Sequence, residues 1–483
     1  MRVRLGLTLG LCSCLSAFES GGWILHNERL GDLGWSQRLV GLDDASIMGG
    51  YSRQVLPSTT GISQAKRLRL RWGSNGQPAP LPGDAPIYDG LQAIVDGDVA
   101  GSWGPFFVSA RPQLVLGFDH SQDRVPYRDP REIWMGNEAH ADLDTVEILP
   151  RLSLGLHGLG HVLAISDQPF RWGEGIFGGI VVGGAQAGFP HLAFAPKRAW
   201  QLLEIAHDPV LFRYEFALGL LDDRAGIDSP AWGGTRLSLR WKDVTLSATV
   251  AGQAEHDDLE PGILSDREYF NAIRSFGINY QLGKRAEIRV EYGQDDYHPK
   301  STRSDDLFTD ELEEYAPDTS AWTATVDILD LLGDQRWRLA LEWYRSESYF
   351  YNHHHFDSWY TDGHPIGHPD GGNTNSLRLL LQHQYRDKRS IGLLAYWRRY
   401  GWRNAESNNP NDDRPTNGND PGEASFAERP WDQFGWYTWH DYQLREAGKL
   451  HIEAGALVEE DRMFQSTGKK LEWHLGAGYS RRW

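Results

Sequence analysis

Cysteine is almost absent from this chain. Among 483 residues there are two, Cys12 and Cys14, and both lie in the first 20. They fall in an apolar run that follows a basic start, a pattern typical of a secretory signal peptide, so we expect residues 1–17 to be removed by cleavage near Ala17. The remaining chain would then have no cysteine, which excludes disulfides and thiol metal sites. The alternative is a lipoprotein anchored at Cys14.

Long apolar runs and positive charge are also scarce. No run of 18 apolar residues follows the N-terminus, which excludes a helical membrane protein. A membrane β-barrel remains compatible, because only half of each strand is apolar and the loops are polar. The formal net charge of −18 argues against non-specific nucleic-acid binding.

Glycine and large aromatic residues are abundant. The chain has 53 Gly, 20 Trp and 19 Tyr. Many glycines suit crowded strands and turns, and many Trp and Tyr suit the girdles at the two membrane interfaces. A soluble β-protein that binds or cleaves glycans is the alternative explanation of the same composition.

The last stretch of the chain, 473–483, alternates strictly. Trp473, Leu475, Ala477 and Tyr479 alternate with small or polar residues, which predicts a strand with one apolar and one polar face. We expect this strand to close a barrel against the first one, since a lipid-exposed sheet cannot leave an open edge.

The same alternation recurs from Lys66 onward. Near the start, apolar Leu68, Leu70 and Trp72 alternate with three arginines, which we expect to face a lumen. Further strands are predicted around 91–99, 106–118, 146–156 and 212–218, and in hairpins over 276–292, 322–343 and 377–397.

Connection lengths separate a membrane barrel from a soluble sheet. Counted back from the C-terminus, short turns such as 283–284 and 387–388 alternate with long links such as 346–373 and 401–431. This alternation is typical of barrels with periplasmic turns and external loops, and not of Greek-key sandwiches. We predict an all-β transmembrane antiparallel barrel of about 18 strands over 64–483. Residues 18–63 would form a short periplasmic segment or plug, with both chain ends periplasmic.

The two longest links, 346–373 and 401–431, are therefore predicted to lie on the cell surface. The first contains five histidines and several aspartates, but consecutive histidines in a loop point in different directions, so we predict no metal site. The second is rich in Asn, Asp, Pro and Gly without the D-x-D-x-D-G spacing of a calcium loop. No carboxylate spacing singles out a catalytic pair.

A glycine-rich stretch over 171–192 is unusual because it lacks a clean strand pattern. We expect it to fold into the barrel as a constriction of the lumen. There Trp172 would stack on a sugar face, and Glu174 and Gln186 would bind hydroxyl groups. Arg171, Arg378 and Arg398 would bind acidic sugars if they face the lumen. The alternative is a glycine-rich turn that is packed for structure alone.

Two motifs resemble the capsule-assembly Wzi family. Residues 171–175 (RWGEG), the step at 183–185 (GGA) and residues 189–192 (FPHL) are similar to its central motif, W-G-P-G, an apolar strand and an aromatic-Pro step. Residues 363–369 (GHPIGHP), continuing through 370–377 (DGGNTNSL), are similar to its G-H-P-x-G segment. The resemblance spans about Lys66 to Trp483. Glu174 departs from it, standing where proline is common, and the N-terminal segment lacks a helical-bundle pattern.

The resemblance implies an outer-membrane barrel that binds and organises capsular polysaccharide or exopolysaccharide at the cell surface, lectin-like and without catalysis or cofactor. Its partners would be the surface polysaccharide, outer-membrane lipid and the outer-membrane assembly machinery. The candidate ligand-binding residues are Arg171, Trp172, Glu174, Gln186, His364, His368, Asp370 and Asn373.

Three alternatives remain open. The first is a substrate-selective porin for sugars or anions, which would have an open lumen. The second is an outer-membrane hydrolase, which needs a fixed Ser-His or carboxylate pair at the barrel rim; the sequence offers no such pair. The third is a soluble carbohydrate-active β-protein.

Overall fold

The computed structural model describes most of the chain beyond residue 60. The described ranges are 61–73, 90–110, 112–118, 146–183, 188–197, 199–221, 230–254, 270–283, 285–295, 320–329, 331–333, 336–347, 350–351, 359–361, 364–385, 389–400, 431–444, 448–460 and 469–482. The predicted signal peptide, residues 18–60 of the predicted periplasmic segment and the link 401–430 lie outside the described residues, while 61–63 belong to the first strand.

All regular structure in these ranges is β-strand, as predicted. The strands are β1 (Gly61–Gly73), β2 (Gly90–Trp103), β3 (Phe106–Ala110), β4 (Gln113–Phe118), β5 (Val146–Leu149), β6 (Leu152–Gly158), β7 (His161–Ser166), β8 (Arg171–Trp172), β9 (Val182–Gly183), β10 (His191–Pro196), β11 (Trp200–Ile205), β12 (Asp208–Leu220), β13 (Ala231–Trp241), β14 (Val244–Ala254), β15 (Phe270–Leu282), β16 (Ala286–Gln294), β17 (Ser320–Ile328), β18 (Trp337–Ser346), β19 (Tyr360–Thr361), β20 (His364–Pro365), β21 (Thr374–Gln384), β22 (Arg389–Tyr400), β23 (Trp431–Leu444), β24 (Gly448–Glu460) and β25 (Lys469–Arg482). No helix that could cross a membrane is found in the described part of the chain.

The long strands pair antiparallel around a ring. Each pairs with the next, and β25 pairs back with β1 from Ala65↔Arg482 to Gly73↔His474. Three ring positions are built from two pieces each (β3 with β4, β5 with β6, β10 with β11), while β8–β9 and β19–β20 form separate two-stranded pairs. Pro112 and Pro150 lie at two of these breaks, where proline cannot donate to the sheet. Within the described residues the ring therefore has eighteen wall strands, in agreement with the predicted number of about 18.

The two faces of the wall differ in chemistry. In β1, the apolar side chains of Leu68, Leu70 and Trp72 are about half exposed on the outside, whereas Arg69 and Arg71 between them are buried inside. The same alternation holds in the other long strands, although not in the short piece Trp200–Ile205, whose six residues are all exposed. It gives an apolar outer belt and a charged lumen face, as expected of a transmembrane barrel. The prediction that the arginine side of β1 faces the lumen is confirmed for Arg69 and Arg71.

Short and long links alternate between the two ends of the barrel, except that 329–336 at one end and 461–468 at the other have eight residues each. The short turns are 104–105, 159–160, 206–207, 242–243, 283–285, 329–336, 385–388 and 445–447, and they define the short-turn end. The other links are 74–89, 119–145, 167–190, 221–230, 255–269, 295–319, 347–373, 401–430 and 461–468, and they define the long-link end. Gly61 and Arg482, the first and last described residues, both lie at the short-turn end. The chain ends themselves lie outside the described residues, so their shared side stays a prediction.

Two long links enter the lumen. We call 167–190 the first inward link and 347–373 the second inward link. The first was predicted to fold inward, and it does. The second was predicted to lie on the cell surface, and this is wrong for its described residues: Phe350, Trp359 and Ile366 have no exposed surface. Link length identifies the end of the barrel, but these apolar side chains need burial, and the lumen provides it.

Candidate functional site

The first inward link is pinned by its tryptophan. The indole Nε1–H of Trp172 donates to Glu215 Oε2 at 2.6 Å, and Arg213 Nε donates to the other oxygen of the same carboxylate at 3.0 Å. Phe170, Phe189 and Trp232 pack around the Trp172 region with ring centroids 5.2 to 5.8 Å apart. Trp172 is fully buried and anchors the link to β12 and β13; no face of its ring is open to a sugar in this conformation.

Two wall glutamates accept backbone N–H groups of the first inward link. Glu291 Oε2 accepts from Glu174 N at 3.0 Å and from Ile180 N at 3.3 Å. Glu342 accepts from the backbone N–H groups of Ile176 and Phe177. A buried segment outside the sheet must find acceptors for its amides, and charged acceptors form stronger bonds. The carboxylates thus replace the missing neighbouring strand.

The side chain of Glu174 is bound to residues of the barrel wall. Its Oε1 accepts from Arg236 Nη2 at 2.9 Å and from Ser247 Oγ at 2.8 Å. The side chain is buried. Glu174 thus forms a buried ion pair with Arg236 of β13 and a hydrogen bond with Ser247 of β14. These contacts hold the glycine-rich turn of the first inward link against the inner face of the two strands.

Arg171 differs from its neighbours. Every residue from Phe170 to Gly183 is buried except Arg171 and Gly173, which are partly exposed. Arg171 Nη1 donates to Ile176 O at 2.8 Å. Burial, followed by the nearby guanidinium of Arg289, lowers the pKa of Arg171 to about 10.

The second inward link packs directly on the first. Trp359 Nε1–H donates to Val181 O at 2.7 Å, and the Tyr351 hydroxyl donates to Ile180 O. Gly183 N donates to Ile366 O at 2.7 Å. Backbone and side-chain bonds therefore join the two links inside the lumen.

Asp370 is held by two wall arginines. Its Oδ1 accepts from Arg378 Nη2 and from Arg398 Nη1, the latter at 3.3 Å, and its Oδ2 accepts from Ser376 Oγ at 2.6 Å. These two guanidinium groups outweigh the effect of burial and hold the pKa of Asp370 far below its usual value. Arg378 and Arg398 do face the lumen, as their predicted role requires, and in this conformation they bind the protein's own carboxylate.

His368 and Asn373 complete the base of the second inward link. His368 Nε2 lies 3.2 Å from Glu342 Oε1, and its ring stacks on Tyr344 with centroids 3.7 Å apart. Asn373 has a φ of 47°, a left-handed conformation that asparagine tolerates, and its N–H donates to Glu347 O at 3.1 Å.

Six of the eight predicted ligand-binding residues can be located with their side chains. Trp172, Glu174, His368, Asp370 and Asn373 lie in the buried contact zone of the two links, and Arg171 lies beside it, partly exposed. His364 belongs to β20, but its side chain lies outside the described residues, as does all of Gln186. No contact here tests ligand binding, so that role stays a prediction.

The sequence did not single out the residues that organise this zone. Glu215, Glu291 and Glu342 each appear as one polar residue among many on an alternating strand. The available signal was a carboxylate placed where the lumen face is otherwise small or hydroxylated, as at Ser275, Glu291 and Thr323. No group of three metal-ligating side chains occurs within the described residues.

The comparisons with known proteins support the fold. No family model matches the chain, and no curated protein matches it. Among solved structures, the chain is similar to Wzi of Escherichia coli, described as a carbohydrate-binding β-barrel involved in group 1 capsule assembly. The TM-score is 0.57 with 12% identity, covering 97% of each chain.

Two Acinetobacter baumannii proteins match less well. OccAB2 has a TM-score of 0.45 and 9% identity, covering 88% of this chain and 98% of its own. OccAB3 has a TM-score of 0.45 and 11% identity, covering 87% and 99%. The wall topology, the apolar belt and the similarity to Wzi together identify the fold as that of an outer-membrane β-barrel.

Proposed function

We propose that this barrel binds and organises a capsular polysaccharide or exopolysaccharide at the cell surface, without changing it chemically. The observation that carries the proposal is the packing of the two inward links, which bond to each other inside the lumen near the end that bears the long links. The carbohydrate-binding description of the similar Wzi barrel supports the same class of ligand.

The bonding of the candidate groups favours binding over catalysis. An acid–base mechanism needs a carboxylate or imidazole that is free to approach a substrate. Here Glu174 is paired with Arg236, Asp370 with Arg378 and Arg398, and His368 lies against Glu342 and the Tyr344 ring. These contacts support a structural frame beneath a binding surface.

The binding surface would be the long-link end of the barrel, facing outside. The apolar belt would contact outer-membrane lipid, and the assembly machinery of that membrane would fold the chain. Trp, Tyr, His and Asn side chains of the links would stack on sugar faces and bond hydroxyl groups.

Deletion of the gene tests the proposal. Cell-bound and shed polysaccharide would be measured in the deletion strain and after complementation with the full chain. We expect the bound fraction to fall, the shed fraction to rise, and complementation to restore both. Unchanged retention of every surface polysaccharide would contradict the proposal.

A substrate-selective porin for sugars or anions is the second candidate. The charged lumen face favours it, because pairs such as Arg338–Asp327 and Lys449–Asp441 continue toward the short-turn end, as in water-filled barrels. Planar-bilayer recordings of the purified chain discriminate the two. Steady conductance that a sugar or anion blocks would favour the porin, and absence of conductance would exclude it.

A further inference from the structure

Most inward-facing arginines of the wall strands are matched to carboxylates, whereas an arginine of the first inward link is not. Eight arginines of the wall strands lie within ion-pair distance of a carboxylate: Arg69, Arg71, Arg213, Arg236, Arg289, Arg338, Arg378 and Arg398. Arg171, on the first inward link, has no carboxylate within that distance among the described residues. It stands out from this set both by position and by bonding.

The guanidinium of Arg171 has unused donors. Its contact in the part of the chain that the structure describes is the single hydrogen bond from Nη1 to Ile176 O at 2.8 Å. A guanidinium has five N–H donors in a fixed plane. Arg171 is also partly exposed in a segment that is otherwise almost entirely buried, so its remaining donors can reach a small group in the lumen.

The neighbouring carboxylates do not serve Arg171. Glu174 accepts from Arg236 and Ser247, and Glu342 accepts from backbone amides of the first inward link and lies beside His368. Both attract Arg171 from a distance, while Arg236 and Arg289 repel it. A second unpartnered donor is close by, since Arg236 Nε is buried without an acceptor.

We infer that Arg171 is the centre of an oxyanion-binding site in the lumen. The ligand class is a small group with two or three acceptor oxygens, a carboxylate, phosphate or sulfate, which the planar guanidinium would hold by paired N–H bonds. The group could belong to a free ion or to an acidic saccharide; the chemistry at Arg171 is the same. The site does not depend on the proposed polysaccharide function.

Stability distinguishes a ligand-binding arginine from a structural one. A cation that is partly removed from water without a counter-ion lowers the stability of the empty protein, whereas an arginine in a saturated ion pair raises it relative to a variant that breaks the pair. Arg171→Gln should therefore leave the unfolding temperature of the anion-free protein unchanged or raise it. Arg338→Gln is the matched control, because Arg338 forms two bonds of 2.8 and 2.7 Å with Asp327.

The experiment uses the full chain purified in detergent, with inorganic phosphate titrated at fixed ionic strength. We expect phosphate to bind and to raise the unfolding temperature. Arg171→Gln should weaken binding by about tenfold or more, as loss of a charge-assisted contact does, and Arg338→Gln should unfold at a lower temperature with phosphate affinity retained. If Arg171→Gln unfolds at a lower temperature and binds phosphate like the parent protein, the inference is wrong.

Two further probes identify the source of the oxyanion. An oligoglucuronate and a neutral oligosaccharide of equal length are titrated into the same variants. Binding of oligoglucuronate that is tighter than phosphate binding and depends on Arg171 supports an acidic saccharide; phosphate binding alone supports a free ion. Binding of neither acid by the parent protein overturns the inference. The polysaccharide function is judged separately, by retention in the deletion strain.

Discussion

A wall glutamate in this barrel acts as a substitute for a β-strand. Glu342 accepts backbone N–H groups of Ile176 and Phe177 and a hydroxyl from Thr325 at 3.1 Å. A sheet would satisfy those amides with carbonyl oxygens, but the first inward link has left the sheet. One charged side chain with several lone pairs can replace several carbonyls.

Glu342→Gln should loosen the first inward link. The glutamine side chain has the same shape but no charge, and its NH₂ group would face the backbone N–H donors of the link. We therefore expect the free energy of unfolding to fall by about 1.5–3 kcal/mol, the range for hydrogen bonds to charged groups. Hydrogen exchange at Ile176 and Phe177 should accelerate. The control is Glu460→Gln, whose partner Lys469 is well exposed and whose loss should change little. Unchanged exchange in Glu342→Gln would contradict the role.

Asp370 should make stability fall on acidification. Its folded-state pKa is depressed by Arg378 and Arg398, so its contribution is complete above the unfolded value of about 3.9 and is lost as the pH falls below that value toward the folded pKa. Asp370→Asn removes the buried carboxylate that Arg378 and Arg398 share and should cost about 3–5 kcal/mol near neutral pH.

Unfolding curves measured between neutral pH and the acid limit check this expectation. The difference between the parent protein and Asp370→Asn should shrink as the pH is lowered. A difference that does not depend on pH would show that the charge of Asp370 has no part in its effect.

Residue roles were the part least predictable from sequence. The sequence indicated that Trp172 and Glu174 lie in an inward segment, and this is confirmed. It could not indicate that Glu215 would accept from the indole or that Arg236 would pair with Glu174, because these partners are 43 and 62 residues away. Alternation shows which face a side chain occupies, but not what lies opposite it across a lumen.

At the scale of elements, the two inward links touch through glycine. A Cβ added to Gly183 would overlap the carbonyl oxygen of Gly367, and one added to Gly367 would overlap the Tyr351 hydroxyl. The close approach permits the bond from Gly183 N to Ile366 O. Glycine is required at these positions because the backbones themselves are in contact.

Gly183→Ala should therefore separate the two links. We expect a lower unfolding temperature and faster hydrogen exchange in both links, because the backbone must shift to admit a methyl group. Gly158→Ala is the control, since a Cβ there meets nothing within 4 Å and its φ is not positive. If Gly183→Ala and Gly158→Ala behave alike, the packing of the links does not depend on this contact.

Strands were predictable and link paths were not, for a physical reason. Period-two alternation is local, so 276–292 and 377–397 appear in sequence as the hairpins β15–β16 and β21–β22. The path of a link depends on whether the lumen can accommodate it. Its length and its place in the short–long alternation made 346–373 look external, but burial of Phe350, Trp359 and Ile366 decides its position.

At the scale of the whole molecule, stability depends on the match between the outer belt and the bilayer. Leu379 lies midway along β21 on the outer face, and Leu471 lies near the long-link end of β25. The cost of a charge on this face depends on its depth.

Leu379→Arg should therefore impair folding more than Leu471→Arg. We expect a cost of about 2–4 kcal/mol near the bilayer midplane against about 0–1 kcal/mol near the interface. The fraction folded in lipid vesicles, read from the mobility shift between heated and unheated samples, measures the difference. Equal losses for the two variants would mean that the belt is not placed in the bilayer as proposed.

The two inward links leave the wall on opposite sides. The first lies between the fifth and sixth wall strands and the second between the thirteenth and fourteenth, eight positions apart in a ring of eighteen. The two links are joined by hydrogen bonds from Trp359 to Val181 and from Gly183 to Ile366. These bonds connect opposite parts of the wall through the lumen. A barrel that is connected in this way resists flattening. Lateral pressure from the bilayer would have to stretch the two links or break the hydrogen bonds between them. The separation of these two wall positions is therefore set by the protein itself and not only by the membrane around it.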